Sequence, residues 1–215
     1  MVHIIGKQNT VFNHFLAEIR DENIQKDRMR FRRNIERMGE VMAYEISKTF
    51  DFEDKEVNTP LGIANIPLIT QQPVIATILR AGMPLHQGVL NYFDQADNAF
   101  ISAYRKHHKD GSFDIKLEYV SSPNLTDRTL ILCDPMLATG ASLVLTYKAL
   151  LEKGKPKHTH LVCAIASQYG IDYAKKHLPA NVTIWAGAVD EELTAHGYIV
   201  PGLGDAGDLA YGTKE

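Results

Sequence analysis

The chain has 215 residues, a 45% hydrophobic fraction and a formal net charge of −3. That length and apolar content suffice for one domain with a full core, with room for a small appended lobe. The charge gives no global pull toward nucleic acid or anionic membrane, no apolar run approaches a membrane span, and the N-terminus lacks a secretory apolar core. A cytoplasmic globular protein is expected. Cys133 and Cys163 both lie inside apolar runs and read as buried thiols of a reducing compartment.

Taken in order, the first fifty or so residues are helical in character. Phe31, Ile35, Met38, Met42 and Ile46 recur at the spacings of one helix face. Lys26, Arg28, Arg30, Arg32, Arg33 and Arg37 make the same segment locally basic, which reads first as a solvated face and second as a subunit or RNA contact. Asp54 to Ile69 looks like a β-excursion turning at Thr59-Pro60-Leu61-Gly62. An α/β body follows from Pro73. Strands are expected at 74–79, 99–104, 129–133, 160–166 and 182–186, with helices through Leu90, from Ser142 to Lys153 and from Tyr169 to His177. Alternating strands and helices imply parallel pairing, right-handed crossovers and a ligand crevice at the strands' carboxyl ends. Residues 105 to about 124 turn from polar to alternating and suggest a projecting hairpin arm. The expected organisation is one domain over 1–215: an N-terminal part to 72, the α/β core over 73–189 and a C-terminal hood over 190–215.

The most informative stretch is RTLILCDPMLATGASLVLTYKALLEKG, from Arg128 to Gly154. An apolar strand breaks at Asp134-Pro135, passes through a small-residue loop and resumes as a helix closed by Gly154. A tight turn feeding a helix aims several backbone N–H groups and a positive helix end at one spot, which favours phosphate. Ala138-Thr139-Gly140-Ala141-Ser142 suits such a spot, because Gly140 permits close approach and the Thr139 and Ser142 hydroxyls can donate. Neither common nucleotide fingerprint is present, so an ordinary turn with Asp134 as a local cap stands beside the phosphate reading.

Arg80 follows its strand in LRAG, and Arg105 follows the next in SAYR. A lone arginine is by default a cap or a surface partner, but two strand-end guanidinium forks near a phosphate loop suit a ligand with more than one phosphate. The segment GYIVPGLGDAGD, Gly197 to Asp208, places four glycines among apolar residues. It reads as an ordered loop presenting backbone groups to a flat ligand rather than as helix or strand. His158 and His160 share a strand face with no carboxylate or thiol to complete a metal set, and they read as core or edge histidines. Trp185 reads as core.

Together LRAG, YR, DPMLATGAS and the C-terminal segment with Gly212-Thr213 resemble the uracil phosphoribosyltransferases, a branch of the type I phosphoribosyltransferases. The resemblance implies an α/β fold of that type: a central, mainly parallel sheet flanked by helices, a hood built from C-terminal and N-terminal segments, and a projecting β-arm. It implies transfer of uracil onto 5-phosphoribosyl 1-diphosphate (PRPP), giving UMP and diphosphate in pyrimidine salvage. By the same resemblance Arg80, Arg105, Asp134, Pro135, Met136, Leu137, Ala138, Thr139, Gly140, Ala141, Ser142 and Asp205 contact PRPP. Ile199, Gly204, Asp205 and Ala206 hold uracil. Catalysis falls to Asp134, Asp205, Arg80 and Arg105, with Mg²⁺ carried by PRPP because Pro135 replaces the second acid found in most of the superfamily. A homodimer or larger homo-oligomer is implied, with no nucleic acid and no membrane. Departures from the family pattern fall at Leu209, at Ala210-Tyr211 and at Arg105-Lys106-His107-His108-Lys109. The rivals are an RNA-binding regulator on the same fold, whose loop would begin with two acids, and a transferase acting on a purine.

Overall fold

The computed structural model describes residues 1–107 and 113–213. Its centre is an eight-stranded sheet, and four of its strands, β4 (Val74–Leu79), β7 (Thr129–Cys133), β9 (His158–Ser167) and β10 (Val182–Asp190), bury apolar side chains on both faces. Strand β5 (Asp97–His107) buries Ala99 and Ile101 on one face, and β1 (Val2–Ile4) is a short, half-buried edge strand. The main order is β1, β10, β9, β7, β4, β5, then β6 (Phe113–Ser121), and β8 (Met136–Leu137) pairs with β9. Every pairing is parallel except β5 with β6. Continuous β-branched and aliphatic runs suit strands covered on both sides.

Alternation along those strands divides the core in two. On one face Ile75, Ile131, Cys133, Val162 and Trp185 pack against α1 (Phe12–Arg20), α2 (Arg28–Ser47) and α3 (Met83–Leu90). On the other, Val74, Ala76, Leu130, Leu132, Leu161 and Cys163 pack against α4 (Ala141–Leu150) and α5 (Gln168–His177). The two buried cysteines therefore lie in separate clusters on opposite faces of the sheet. The expected helix face is the buried one: Phe31, Ile35, Met38, Met42 and Ile46 are all within 2% of full burial. Helix α2 starts at Asp27, whose carboxylate accepts from the Arg30 N–H at 3.0 Å.

Several expectations change. The basic side of α2 is not a uniformly solvated face. Arg30 pairs with Glu18, Arg33 with Glu36, and Arg37 donates to the Asn34 side chain, while Arg32 Nη1 donates to the Ala210 carbonyl at 2.7 Å. The Arg33 and Arg37 pairs are local i,i+3 contacts, whereas spacing alone could not show those of Arg30 and Arg32, because their partners come from α1 and from the C-terminus. The glycine-rich C-terminal segment is also more regular than an extended loop. After the small ladder of β11 (Glu192–Leu193) and β12 (Ile199–Val200), residues Ala206–Tyr211 form a helix, α6. Asp205 makes it possible, accepting from the Gly207 and Asp208 N–H groups at 2.9 and 3.0 Å. Met136 and Leu137, expected within the loop, instead form β8. The β-excursion is a separate two-stranded ribbon, β2 (Phe52–Thr59) with β3 (Gly62–Ile69), turning where expected. The expected arm corresponds to the outer parts of β5 and β6, and residues 108–112 lie outside the described residues. No helix among the described residues is long and apolar enough to cross a membrane.

Candidate active site

In the sheet, β4 is followed in sequence by its neighbour β5 on one side, whereas β7 leads to β9 on the other. The chain therefore departs in opposite directions from β4 and β7, and a crevice opens above their carboxyl ends. Arg80 follows β4 directly and Asp134 follows β7 directly. Thr77 and Cys133 are paired in register, which sets the two strand ends side by side. The Leu79–Arg80 peptide is cis. At Gly82 the turn passes so close to β7 that a Cβ there would lie 2.8 Å from the Cys133 carbonyl. Only glycine allows that approach.

The phosphate-loop candidate runs from Asp134 to Ser142. Asp134 Oδ1 lies 3.4 Å from the Met136 N–H, and Asp134 is half-buried. Gly140 takes a left-handed φ of 79° at the start of α4, and Thr139 Oγ1 accepts from the Ala141 N–H at 3.5 Å. The loop is backed by α5. Ser167 Oγ donates to the Ala138 carbonyl at 2.5 Å and accepts from the Gly170 N–H at 2.8 Å. Strand, turn and helix N-terminus thus have a geometry suited to a phosphate.

The C-terminal hood closes onto the β4 side. Arg80 Nη2 donates to the Gly212 carbonyl at 2.9 Å and to Asp208 Oδ1 at 3.2 Å. Arg80 Nε is buried with no hydrogen-bond partner among the described residues. Gly207 packs beside Ala81 and Arg80. One guanidinium therefore joins the strand-end loop to the hood while keeping donor capacity for an anion. Asp205, Ala206 and Asp208 thereby stand at the same end of the sheet as Arg80. Ile199 and Ala206 bury their side chains in the core, and Gly204 stands in the open with a φ of 93°. Leu209, one of the departures from the family pattern, packs partly buried against the apolar cluster of that face.

Arg105 sits on β5, in register with Ile115, but its side chain lies outside the described residues. His160 and Trp185 belong to the core: Trp185 Nε1 donates to His160 Nδ1 at 3.0 Å. No three His, Cys, Asp or Glu side chains converge on a point among the described residues. Burial, and secondarily the charge of Asp134, push the Cys133 and Cys163 thiols far up, so neither serves as a nucleophile. Sequence reasoning missed Arg20, Gln25, Asp190 and Ser167. Arg20, Gln25 and Asp190 hold Gly202 and Leu203, and Ser167 reaches the Ala138 carbonyl, through contacts between residues 12 or more positions apart, while the Ser167 cap on Gly170 is local.

This sheet, with its phosphate-loop turn at the switch point and a capping hood, is the fold of the type I phosphoribosyltransferases. The solved structure of the AQ2163 protein from Aquifex aeolicus superposes with a TM-score of 0.87 at 28% identity, covering 99% of this chain and 98% of that one. A family model described as uracil phosphoribosyltransferase matches residues 6–213. A protein of that name from Porphyromonas gingivalis is 56% identical over 214 residues, covering 100% of this chain and 99% of its own. Another, from Thermococcus gammatolerans, is 39% identical over 200 residues, covering 92% and 87%. The chain belongs to the uracil phosphoribosyltransferase family.

Proposed function

We propose that the residues gathered above β4 and β7 carry out the reaction of this family, in which uracil displaces diphosphate from PRPP to give UMP. The observation that carries the residue assignment is the Arg80 junction: the same side chain sits at the strand end beside the phosphate loop and holds the hood.

The reaction is a substitution at the anomeric carbon. As the C1′–oxygen bond breaks, the diphosphate leaves with the electron pair and the ribose acquires oxocarbenium-like charge. Catalysis is then mostly positioning and electrostatics. The backbone and hydroxyls of Ala138, Thr139, Gly140, Ala141 and Ser142 hold the 5′-phosphate, next to Pro135, Met136 and Leu137. Asp134 takes the ribose hydroxyls, and its charge favours the developing cation. Arg80 and Arg105 stabilise the departing diphosphate. Backbone groups at Ile199, Gly204 and Ala206 read the uracil carbonyls and N–H. Uracil N1 bonds to C1′ and gives up its proton to the Asp205 carboxylate, directly or through water. One Asp205 oxygen already caps α6, which fixes the carboxylate's orientation.

The donor set fits a Mg²⁺ that arrives on PRPP, since Pro135 occupies the second-acid position and no protein cage converges among the described residues. Such an ion would supply charge neutralisation for the leaving diphosphate, beside Arg80 and Arg105. The chain acts as a single domain in the cytoplasm.

A homo-oligomer is supported by the β2–β3 ribbon, which stands outside the main sheet with Leu61 fully exposed and Ile63, Ile66 and Leu68 each more than 40% exposed. A two-stranded ribbon is marginal alone, and an apolar one needs a cover. Ile63→Glu with Ile66→Glu should lower the mass measured by sedimentation, and an unchanged mass would place the interface elsewhere.

The deciding assay is UMP formation from uracil, PRPP and Mg²⁺, with adenine, guanine and hypoxanthine in parallel. Product with a purine instead of uracil would overturn the substrate assignment. An RNA-binding regulator is the second reading, but the paired arginines of α2 leave little unpaired basic surface on that helix. Filter binding of uridine-rich RNA should show no retention.

A further inference from the structure

One residue of the hood is gripped from two directions. Asp190, the last residue of β10, is 8% exposed, and its Oδ2 accepts from the Gly202 N–H at 2.9 Å. Arg20, the last residue of α1, donates to both oxygens of Asp190 at 2.8 Å and from Nη1 to the Gly202 carbonyl at 3.0 Å. Both backbone groups of Gly202 are thus tied to one bidentate ion pair whose members are 170 positions apart in the chain. Gly202 has a left-handed φ of 55°, and a side chain there would run into the Ile199 carbonyl. Gln25, with its amide nitrogen turned toward them, donates to the Ile19 and Leu203 carbonyls at 2.9 Å each. The grip falls on residues 202 and 203. It stops short of Gly204, where an added Cβ would meet nothing within 4 Å.

We propose that Arg20 and Asp190 are positioning residues for pyrimidine-base recognition, fixing the peptide planes on which the strip from Ile199 to Ala206 presents its backbone to the base. This inference rests on the proposed base contacts at Ile199, Gly204 and Ala206. A backbone strip selects a base only while its peptide groups keep their orientation, because it has no long side chain to adjust. A bidentate guanidinium–carboxylate pair supplies orientation as well as attraction. Its near-burial means that removing either partner leaves the other charge uncompensated, so the strip cannot drift at small cost. The phosphate loop is built from other elements, β7, α4 and α5, and is tied through the Ser167 hydroxyl to Ala138 and Gly170, although Ser167 and Asp190 are register partners on β9 and β10.

Steady-state kinetics in both substrates, together with calorimetric PRPP binding in Mg²⁺, test it. Arg20→Met should raise the KM for uracil by about 10- to 100-fold, the order of loss that follows small misplacements in a site, while the PRPP KM and PRPP affinity stay as in the parent. Arg20→Lys, which keeps the charge but not the fork, and Asp190→Asn, which keeps an acceptor for Gly202, should fall between. They carry the test if Arg20→Met does not fold. Gly204→Ala, whose methyl meets no protein atom but which strains a backbone held at a φ of 93°, should also raise the uracil KM. If Gly204→Ala raises it and the Arg20 and Asp190 variants do not, the clamp is refuted and the base-binding reading stands. If Gly204→Ala has no effect either, the base-binding reading itself fails. Equal losses toward uracil and PRPP, tracking a lower melting temperature, would reduce the pair to a structural tie and overturn the proposal.

Discussion

The Ser167 hydroxyl bridges the phosphate loop and helix α5, donating to the Ala138 carbonyl and accepting from the Gly170 N–H. Ser167 is fully buried, so no water can replace it. Ser167→Ala would orphan both backbone groups at a cost of about 1–3 kcal/mol and loosen the loop where the 5′-phosphate is held. A lower melting temperature and a raised PRPP KM, with a smaller change toward uracil, are the expected readouts. An unchanged PRPP KM would show that α4 alone orients the loop.

Arg80 serves two ends of the site at once. Lysine cannot hold the Gly212 carbonyl and Asp208 while presenting a fork to diphosphate. Arg80→Lys should therefore lower kcat by about 100-fold, the scale for losing one preorganised donor at developing charge, and weaken both substrates. Loss confined to PRPP would mean the contacts to the hood are incidental.

Asp205 has a structural role and a proposed chemical one, and asparagine separates them. Asn caps a helix about as well as Asp, so Asp205→Asn should change folding stability by no more than about a few tenths of a kcal/mol and leave the melting temperature close to the parent's. Without a carboxylate to take the N1 proton, turnover should fall. Undiminished kcat would remove Asp205 from the proton-acceptor role.

His160 predicts a pH dependence of stability. Burial first, then the neighbouring His158 and His3, push its pKa from 6.5 down to about 3. Above pH 6.5 both folded and unfolded forms are neutral and its contribution is complete. As pH falls below 6.5 the unfolded chain takes up the proton while the folded one does not, so stability drops with a limiting slope of about 1.4 kcal/mol per pH unit. His158, also lowered by burial, adds to the same slope. Urea unfolding between about pH 5 and 6.5, above the main carboxylate range, should show the slope. His160→Gln, which keeps an acceptor for Trp185, should reduce it. A variant with the parent's slope would assign the effect elsewhere.

Local chemistry explains what could be read from residue order. Strand β4 and strand β7 begin and end where their apolar runs do, and the turn of the β2–β3 ribbon falls at Thr59 to Gly62. The spacing from Phe31 to Ile46 identified the buried face of α2 because helical periodicity reports directly on which side is covered. Helix α6 escaped because its glycines argue against a helix, and its formation depends on one cap at Asp205 and on docking against α2. Strand β8 escaped because two residues carry no periodicity.

The order of motifs, the strand-end placement of Arg80 and Asp134 and the small-residue loop followed by a helix are written in the sequence by itself, since each depends on neighbours a few positions away. The tertiary structure alone decided that β4 and β7 lie side by side, that Arg80 reaches across to Gly212, and that Arg20 finds Asp190 and Gly202. Those contacts join residues 56 to 182 positions apart in the chain. Their partners are selected by the sheet order and by burial of the two faces, which no local pattern specifies.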